Sequence, residues 1–194
     1  MNVERGPTPK IDAVHHAAYR CRDAEQTRWF YEDVIGLPAA AGLVLDTVPG
    51  THAANPYMHL FFELGDGNYI AFFDAPGDAD PAWFARKDSF DMHIAVQVDS
   101  EEKLLAMQAR VRSFGVKCAG PIDHGFVKSV YMYDPNGIQF EITVRTREHE
   151  RILSAEKAML PERLAEWTAR TRADKEAKFG ADALDLRGAA PRLR

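Results

Sequence analysis

The chain has 194 residues, a net charge of −5, 46% hydrophobic residues and 27% charged residues, which is the composition of a folded globular protein. The negative charge gives no basis for nucleic-acid binding, which depends on clustered Lys and Arg, and no apolar run is long enough to span a membrane. The first ten residues contain no apolar signal-peptide core, so a cytoplasmic protein is expected.

The first half of the chain, residues 11–75, predicts one strand, one helix and three more strands. Ile11–Cys21 is typical of a buried strand, and Asp23 followed by Gln26 predicts the start of a helix. Gly36 ends this helix. The three strand candidates that follow are Leu43–Thr47, Tyr57–Leu64 and Tyr69–Phe73.

The second half, residues 89–146, repeats this order. Asp91–Val98 predicts a strand, and Asp99 or Ser100 caps a helix that ends at Gly115. Three strand candidates again follow, at Val116–Cys118, Val127–Tyr133 and Ile138–Val144. A repeat of this length indicates two copies of one structural unit. The sequence therefore predicts an α+β fold, in which paired βαβββ modules form a curved mixed sheet.

Two histidines occupy matching places in the repeat. His16 lies seven residues before Asp23, and His93 lies seven residues before Ser100. Each module also has a Gly and Asn turn before its last strand, and aligning these turns places Ala71 opposite Glu141. Because side chains alternate along a strand, His16, His93 and Glu141 are expected on the site-facing side of their strands. His15, the neighbour of His16, is expected on the opposite side.

This pattern predicts a divalent metal bound by His16, His93 and Glu141. Two histidines and one carboxylate with open coordination positions are the facial arrangement of non-haem Fe(II) oxygenases, although Mn(II), Ni(II), Co(II) or Zn(II) would also accept these ligands. A single strand histidine is more often structural, but an acid between the apolar Phe140 and Ile142 is costly to bury without a partner. Ala71 leaves the fourth position predicted by the repeat without a ligand.

The chain resembles the vicinal oxygen chelate superfamily, which includes glyoxalases, bleomycin resistance proteins and extradiol dioxygenases. Three segments carry the resemblance: VHHAAYRCRDAEQTRWFYEDVIGL, FDMHIAVQVD and VYMYDPNGIQFEITV. The resemblance covers residues 11–146 and implies modules that close around a metal held by His16, His93 and Glu141. It does not fix the reaction, because the superfamily supports many reactions on one scaffold.

A second match narrows the reaction class. The run from Ile122 and His124 through Val130-Tyr131 and Asp134-Pro135-Asn136-Gly137 to Glu141 is similar to the fingerprint of type I extradiol ring-cleavage dioxygenases. This resemblance implies that His124 is an acid or base that does not bind the metal, that Tyr131 bonds a substrate oxygen, and that Glu141 binds iron. The expected partners are an aromatic small molecule and O2, in an oxidoreductase of aromatic catabolism.

The chain also departs from this pattern. Extradiol enzymes carry a further histidine about fourteen residues before the second metal histidine, where this chain has Asp78 and Ala79. His59 is the candidate substitute, and Phe61 and Phe73 are expected to bind the aromatic substrate beside it. Two alternatives stay open: a redox-neutral metal-dependent lyase or isomerase of the glyoxalase or epimerase type, and a protein that sequesters a small molecule.

Residues 147–194 have no counterpart in the repeat. We expect residues 1–146 to form the metal-binding domain and residues 147–194 a helical extension in which Pro161 is the first helical residue and Gly180 the end. The last residues, 183–194, are expected to form an extended arm. Because proteins of this fold commonly dimerise, a homodimer is expected.

Overall fold

The computed structural model describes residues 9–185, and the part of the chain that it describes divides into two compact units. The first unit ends at Arg145 and the second begins at Thr146. None of the described helices is long and apolar enough to cross a membrane.

The first unit contains two successive modules with the same order of elements. The first consists of β1 (His16–Cys21), α1 (Ala24–Arg28), β2 (Ala39–Thr47), β3 (Ala54–Glu63) and β4 (Tyr69–Asp74). The second consists of β5 (His93–Gln97), α2 (Glu101–Ser113), β6 (Ala119–Asp123), β7 (Val127–Tyr133) and β8 (Gln139–Arg145). The predicted α+β fold of paired βαβββ modules is confirmed.

Each module forms its own four-stranded mixed sheet, with strand orders β1-β4-β3-β2 and β5-β8-β7-β6. In both sheets the first strand of the module pairs in parallel with the last, and the other neighbours are antiparallel. Among the described residues, the curved mixed sheet predicted from the paired modules is made of these two four-stranded sheets.

The first helix begins as predicted and then changes its geometry. The Asp23 side chain accepts a hydrogen bond from the Gln26 backbone N–H at 2.7 Å, which satisfies one of the free donors at the helix start. The Gln26 side chain does not return this bond as in a full capping box, because it accepts from Arg22 instead. Residues Trp29–Ile35 continue α1 as a π-helical turn that ends at Gly36 with φ +92°.

One face of each sheet packs into a single hydrophobic core shared by both modules. Tyr31 lies at its centre, fully buried, with its ring 4.8 Å from that of Phe72 in the first sheet and 5.6 Å from that of Phe140 in the second. The apolar side chains of α1, α2 and both sheets complete this core. The opposite face of each sheet is left for binding residues.

A polar seam joins the two modules inside this core. The buried Asp134 accepts a hydrogen bond from the Tyr31 hydroxyl at 3.1 Å, and the buried Asn136 donates to the Thr27 hydroxyl at 3.2 Å. Asn136 also accepts from the Arg22 backbone N–H at 2.8 Å. The Asp-Pro-Asn-Gly turn of the second module therefore holds the first helix of the first module.

The sixth strand lies later than predicted. Val116–Cys118 was the sequence candidate, but β6 begins at Ala119, and Val116–Cys118 forms an irregular connection between the turn at Gly115 and this strand. Cys118 is buried, and the Arg112 guanidinium donates to its backbone carbonyl at 2.7 Å. The backbone of this residue thus bonds to the helix rather than to a neighbouring strand.

The second unit contains a long helix, α3 (His149–Phe179), and a short one, α4 (Ala181–Asp185). The prediction that Pro161 begins the helix is wrong, since Pro161 lies inside α3. The residues before it, HERILSAEKAML, are mostly strong helix formers, so the helix is already established when the proline removes one hydrogen bond. Gly180 ends α3 as predicted. The extended arm predicted for residues 183–194 is wrong at 183–185, which belong to α4, and residues 186–194 lie outside the described residues.

Candidate metal and substrate site

The two modules place their candidate ligands in the same register. In the second sheet His93 pairs with Gln139, and Glu141 pairs with the position two residues beyond His93. In the first sheet His16 pairs with Tyr69, and Ala71 stands at the place of Glu141. The alignment of Ala71 with Glu141 made from the sequence agrees with this register.

His93 and Glu141 lie side by side on the site face of the second sheet. The His93 Nε2 atom is 3.8 Å from Glu141 Oε2, and the Glu141 residue is only 8% exposed. The other ring nitrogen, Nδ1, lies 2.8 Å from the carbonyl oxygen of Ser89. A backbone carbonyl that binds one ring nitrogen leaves the other available as a ligand, which is the usual arrangement around a metal-binding histidine.

Tyr131 connects His124 to Glu141. The Tyr131 hydroxyl lies 2.7 Å from His124 Nε2 and 3.2 Å from Glu141 Oε1. Burial raises the pKa of the Tyr131 hydroxyl, so the phenol keeps its proton at neutral pH. A phenol has only one hydrogen to donate. Because Tyr131 donates it to Glu141, the hydrogen bond between Tyr131 and His124 must be donated by His124 Nε2. The three side chains thus form a path along which a proton can move.

A cavity of about 570 Å³ opens above these side chains. All of its lining residues belong to the second module or to the segment just before it: Ser89, Phe90, His93, Ala119, Ile122, His124, Phe126, Val127, Tyr131, Gln139 and Glu141. The predicted catalytic residues and two predicted metal ligands therefore share one cavity, whose other walls are mainly apolar.

His16 lies on the site face of the first sheet among aromatic side chains. Its ring is 5.6 Å from that of Phe61 and 6.0 Å from that of His59. The His59 ring stacks on Phe73, with centroids 3.8 Å apart. Burial, with His16 as a nearby charge, lowers the pKa of His59, so this imidazole is neutral, and its buried Nε2 has no hydrogen-bond partner among the described residues.

The expected position of His15 is wrong. Its Nδ1 atom lies 2.8 Å from Nδ1 of His16, and the two rings are 5.1 Å apart. Because β1 begins at His16, strand alternation does not extend to His15. This contact binds one ring nitrogen of His16 and leaves Nε2 available, as at His93.

Within the residues that the structure describes, no three His, Cys, Asp or Glu side chains gather at metal-binding distance. One chain brings His93 and Glu141 together, while His16 lies in its own aromatic group on the other sheet. The donor chemistry nevertheless fits a divalent metal, because neutral imidazoles and a carboxylate are ligands of Fe(II), Mn(II) and Zn(II). The nearly buried Glu141 carboxylate, in an apolar strand, is a further reason to expect a cation there.

Three residues of the site were not predicted from the sequence. Ser89 acts through its backbone carbonyl, which no side-chain pattern reveals. Phe90 lines the cavity and is 98% exposed. Gln139 shares the face of Glu141 by strand alternation, and that signal alone identifies it; its buried Oε1 has no partner among the described residues.

Comparison with known proteins identifies the family of the first unit. The model of the Glyoxalase/Bleomycin resistance protein/Dioxygenase superfamily matches residues 13–142. No curated protein matches the chain.

Solved structures share the fold. A glyoxalase/dioxygenase from Nostoc punctiforme is 24% identical, with a TM-score of 0.55, over 75% of this chain and 100% of that one. The fosfomycin resistance protein FosX from Listeria monocytogenes is 22% identical, with a TM-score of 0.52, over 72% and 98%. A glyoxylase/bleomycin resistance protein/dioxygenase domain from Frankia is 16% identical, with a TM-score of 0.57, over 71% and 100%. One structure of the Listeria protein contains Mn(II).

Proposed function

The chain belongs to the glyoxalase, bleomycin resistance protein and dioxygenase superfamily, and from this premise we propose that it is an Fe(II)-dependent extradiol-type dioxygenase that cleaves a catecholic or related aromatic substrate with O2. Members of the superfamily bind divalent metals, as the Listeria protein binds Mn(II). The choice of Fe(II) and of ring cleavage is our proposal.

The observation that carries the proposal is the hydrogen-bonded path from His124 through Tyr131 to Glu141. These residues come from three parts of the extradiol-type fingerprint, and the fold places them at one cavity. Ring cleavage needs a group that accepts the catechol protons and returns one, and an imidazole can do both because one ring nitrogen accepts while the other donates. A histidine that reaches Glu141 through one hydroxyl is suited to this task without binding the metal itself.

We propose that the metal site is completed in a homodimer, where His16 of one protomer joins His93 and Glu141 of its partner. The site faces lie opposite the shared core, and each carries only part of the ligand set. Phe90, at the cavity, is an exposed apolar surface that a partner would cover. In this arrangement the aromatic group around His16 closes the cavity of the partner.

The three ligands would hold Fe(II), which would supply Lewis-acid and redox chemistry for the reaction of the substrate with O2. When the substrate binds, the Tyr131 hydroxyl turns its one hydrogen from Glu141 to a substrate oxygen, and the other ring nitrogen of His124, Nδ1, takes the proton that the substrate loses. His59, Phe61 and Phe73 pack against the ring and exclude water. Both atoms of O2 enter the ring-opened product, so the reaction requires no external reductant.

The test of the reaction is oxygen consumption. Protein reconstituted with Fe(II) without air and then given a panel of catechols should consume one O2 per substrate and form yellow ring-opened products. His124→Phe should keep its metal and lose turnover by roughly 10² to 10⁴-fold. The proposal fails if no catechol leads to oxygen uptake and the protein instead turns over a thiol adduct or an acyl thioester without redox change under Ni(II) or Co(II). That result would identify the protein as a metal-dependent lyase or isomerase.

The shared site has a separate test by subunit complementation. His16→Ala and His93→Ala should each be inactive, whereas a mixture allowed to exchange subunits should recover about a quarter of the wild-type oxygen uptake, because half of the dimers are mixed and each has one intact site. A matched mixture of His93→Ala with Glu141→Ala should recover nothing, since both ligands come from the same protomer. If both mixtures recover the same activity, or if neither recovers any, then His16 of one protomer does not share a site with His93 and Glu141 of its partner.

A further inference from the structure

We propose that the substrate carries an anionic group, a carboxylate, which Arg86 and Lys117 bind beside the catalytic cavity. This inference names the substrate class and rests on the proposed function. A second cavity of about 460 Å³ adjoins the first, and Ala119, Tyr131 and Gln139 line both. A ligand held at Tyr131 can therefore extend into this second cavity.

The strand register gives the direction in which the ligand extends. Gln139 pairs with His93 on one side and with Tyr133 on the other, one row beyond the row of Glu141 and Tyr131. Two residues along a strand span about 7 Å. An aromatic ring bound at the Tyr131 row could therefore reach the Tyr133 row with a short substituent. The ring would lie near Tyr131 and its substituent near Tyr133.

Arg86 is held in place at the end of this row. Its guanidinium lies 4.8 Å from the centre of the Tyr133 ring, and Tyr133 donates a hydrogen bond to the carbonyl of Lys87 at 3.0 Å. The Lys87 backbone N–H donates to the carbonyl of Gly137 at 2.8 Å, which fixes the segment against the turn before β8. A guanidinium stacked on an aromatic ring keeps its edge N–H groups free for a carboxylate.

The charge of the second cavity is uncompensated. Lys117 and Arg86 both line it, and no acidic side chain among the described residues does so. Gln139 adds a polar contact, because its buried Oε1 has no hydrogen-bond partner in the described part of the chain. A donor that reaches this oxygen, such as a hydroxyl of the ligand, would satisfy it. A hydroxylated aromatic ring with a carboxylate side chain satisfies both the oxygen and the two cations.

The experiment compares 3-(3,4-dihydroxyphenyl)propanoate with its primary amide, which has nearly the same shape and no charge. The wild type should have the higher kcat/KM for the carboxylate. In Arg86→Gln and in Lys117→Gln, kcat/KM for the carboxylate should fall about 10-fold to 100-fold, and that for the amide should stay within about twofold. Arg86→Lys should restore part of the loss. Lys103→Gln, which removes a cation already paired with Asp99, is the matched control and should change neither value.

Binding without turnover separates this inference from the proposed reaction. Anaerobic calorimetry with the same two compounds should show tighter binding of the carboxylate, and Arg86→Gln should abolish the difference. If the protein consumes no oxygen but shows this binding pattern, the anion site stands and the dioxygenase proposal fails. If oxygen is consumed but the two compounds are equivalent, or Arg86→Gln weakens both equally, the anion site is refuted and the reaction stands.

Discussion

Removal of one oxygen atom, in Tyr131→Phe, tests the path between His124 and Glu141. The hydroxyl contacts His124 Nε2 at 2.7 Å and Glu141 Oε1 at 3.2 Å. A hydrogen bond to a charged group contributes about 1.5 to 3 kcal/mol. At 1.36 kcal/mol for each factor of ten, the expected loss in kcat/KM is roughly 10-fold to 150-fold if the bond acts in the transition state.

The assay is oxygen uptake under saturating and limiting catechol, with iron content measured on the same samples. If the two side chains act as one unit, His124→Phe combined with Tyr131→Phe should cost little more than His124→Phe alone. Additive losses would show that Tyr131 and His124 act independently. A fall in iron content in Tyr131→Phe would show that its contact with Glu141 positions a ligand instead, and wild-type turnover would refute the role of the path.

Three further changes test the rest of the site and the fold. Ala71→Glu should fill the fourth ligand place given by the register, keep the metal by elemental analysis and suppress oxygen uptake, and undiminished uptake would refute the open position. Gly137→Ala should lower the free energy of unfolding by more than about 1 kcal/mol in chemical denaturation, because φ is +77° and a Cβ would collide with a neighbouring carbonyl. The control is Gly36→Ala, where φ is +92° and the space is open, and it should lower the free energy of unfolding by about 1 kcal/mol. Equal losses in the two variants would contradict the collision. Cys21 and Cys118 should react slowly with a thiol reagent in the native protein and quickly in denaturant, because burial raises the pKa of both thiols, that of Cys21 to about 12, and fast native labelling would refute their burial.

The architecture of the modules could be predicted because the repeat occurs twice, so that each strand and helix is predicted independently in both halves of the sequence. Strand alternation and the turn at Gly137 then fixed which side chains share the site face, so the register of Glu141 against Ala71 followed from local rules. His124 and Tyr131 were singled out by the resemblance to the extradiol fingerprint rather than by these local rules, and in the structure β7 lies beside β8, with Tyr131 paired to Glu141.

Features that depend on long-range packing could not be predicted from the sequence. The local sequence does not distinguish Val116–Cys118 from a strand. The Cys118 carbonyl instead accepts a hydrogen bond from the Arg112 side chain of the preceding helix, which only the fold reveals. Nothing in the pattern around Pro161 shows that the helix has already begun upstream. The positions of Arg86 and Ser89 depend on a loop held by the turn before β8, so their roles appear only with the fold.

The Asp-Pro-Asn-Gly turn has a structural role that bears on function. Asp134 and Asn136 point away from the cavity into the core, where they bind Tyr31 and Thr27 of the first module. Buried polar groups that satisfy one another fix a unique arrangement of the elements that carry them. Because this seam packs the core faces of the two sheets together, the site faces are directed elsewhere, and His16 cannot be supplied to Glu141 by strand pairing within one chain among the described residues. The buried contacts of Asp134 and Asn136 therefore keep His16 away from Glu141 within one chain, which is why we expect His16 to come from a second copy of the chain.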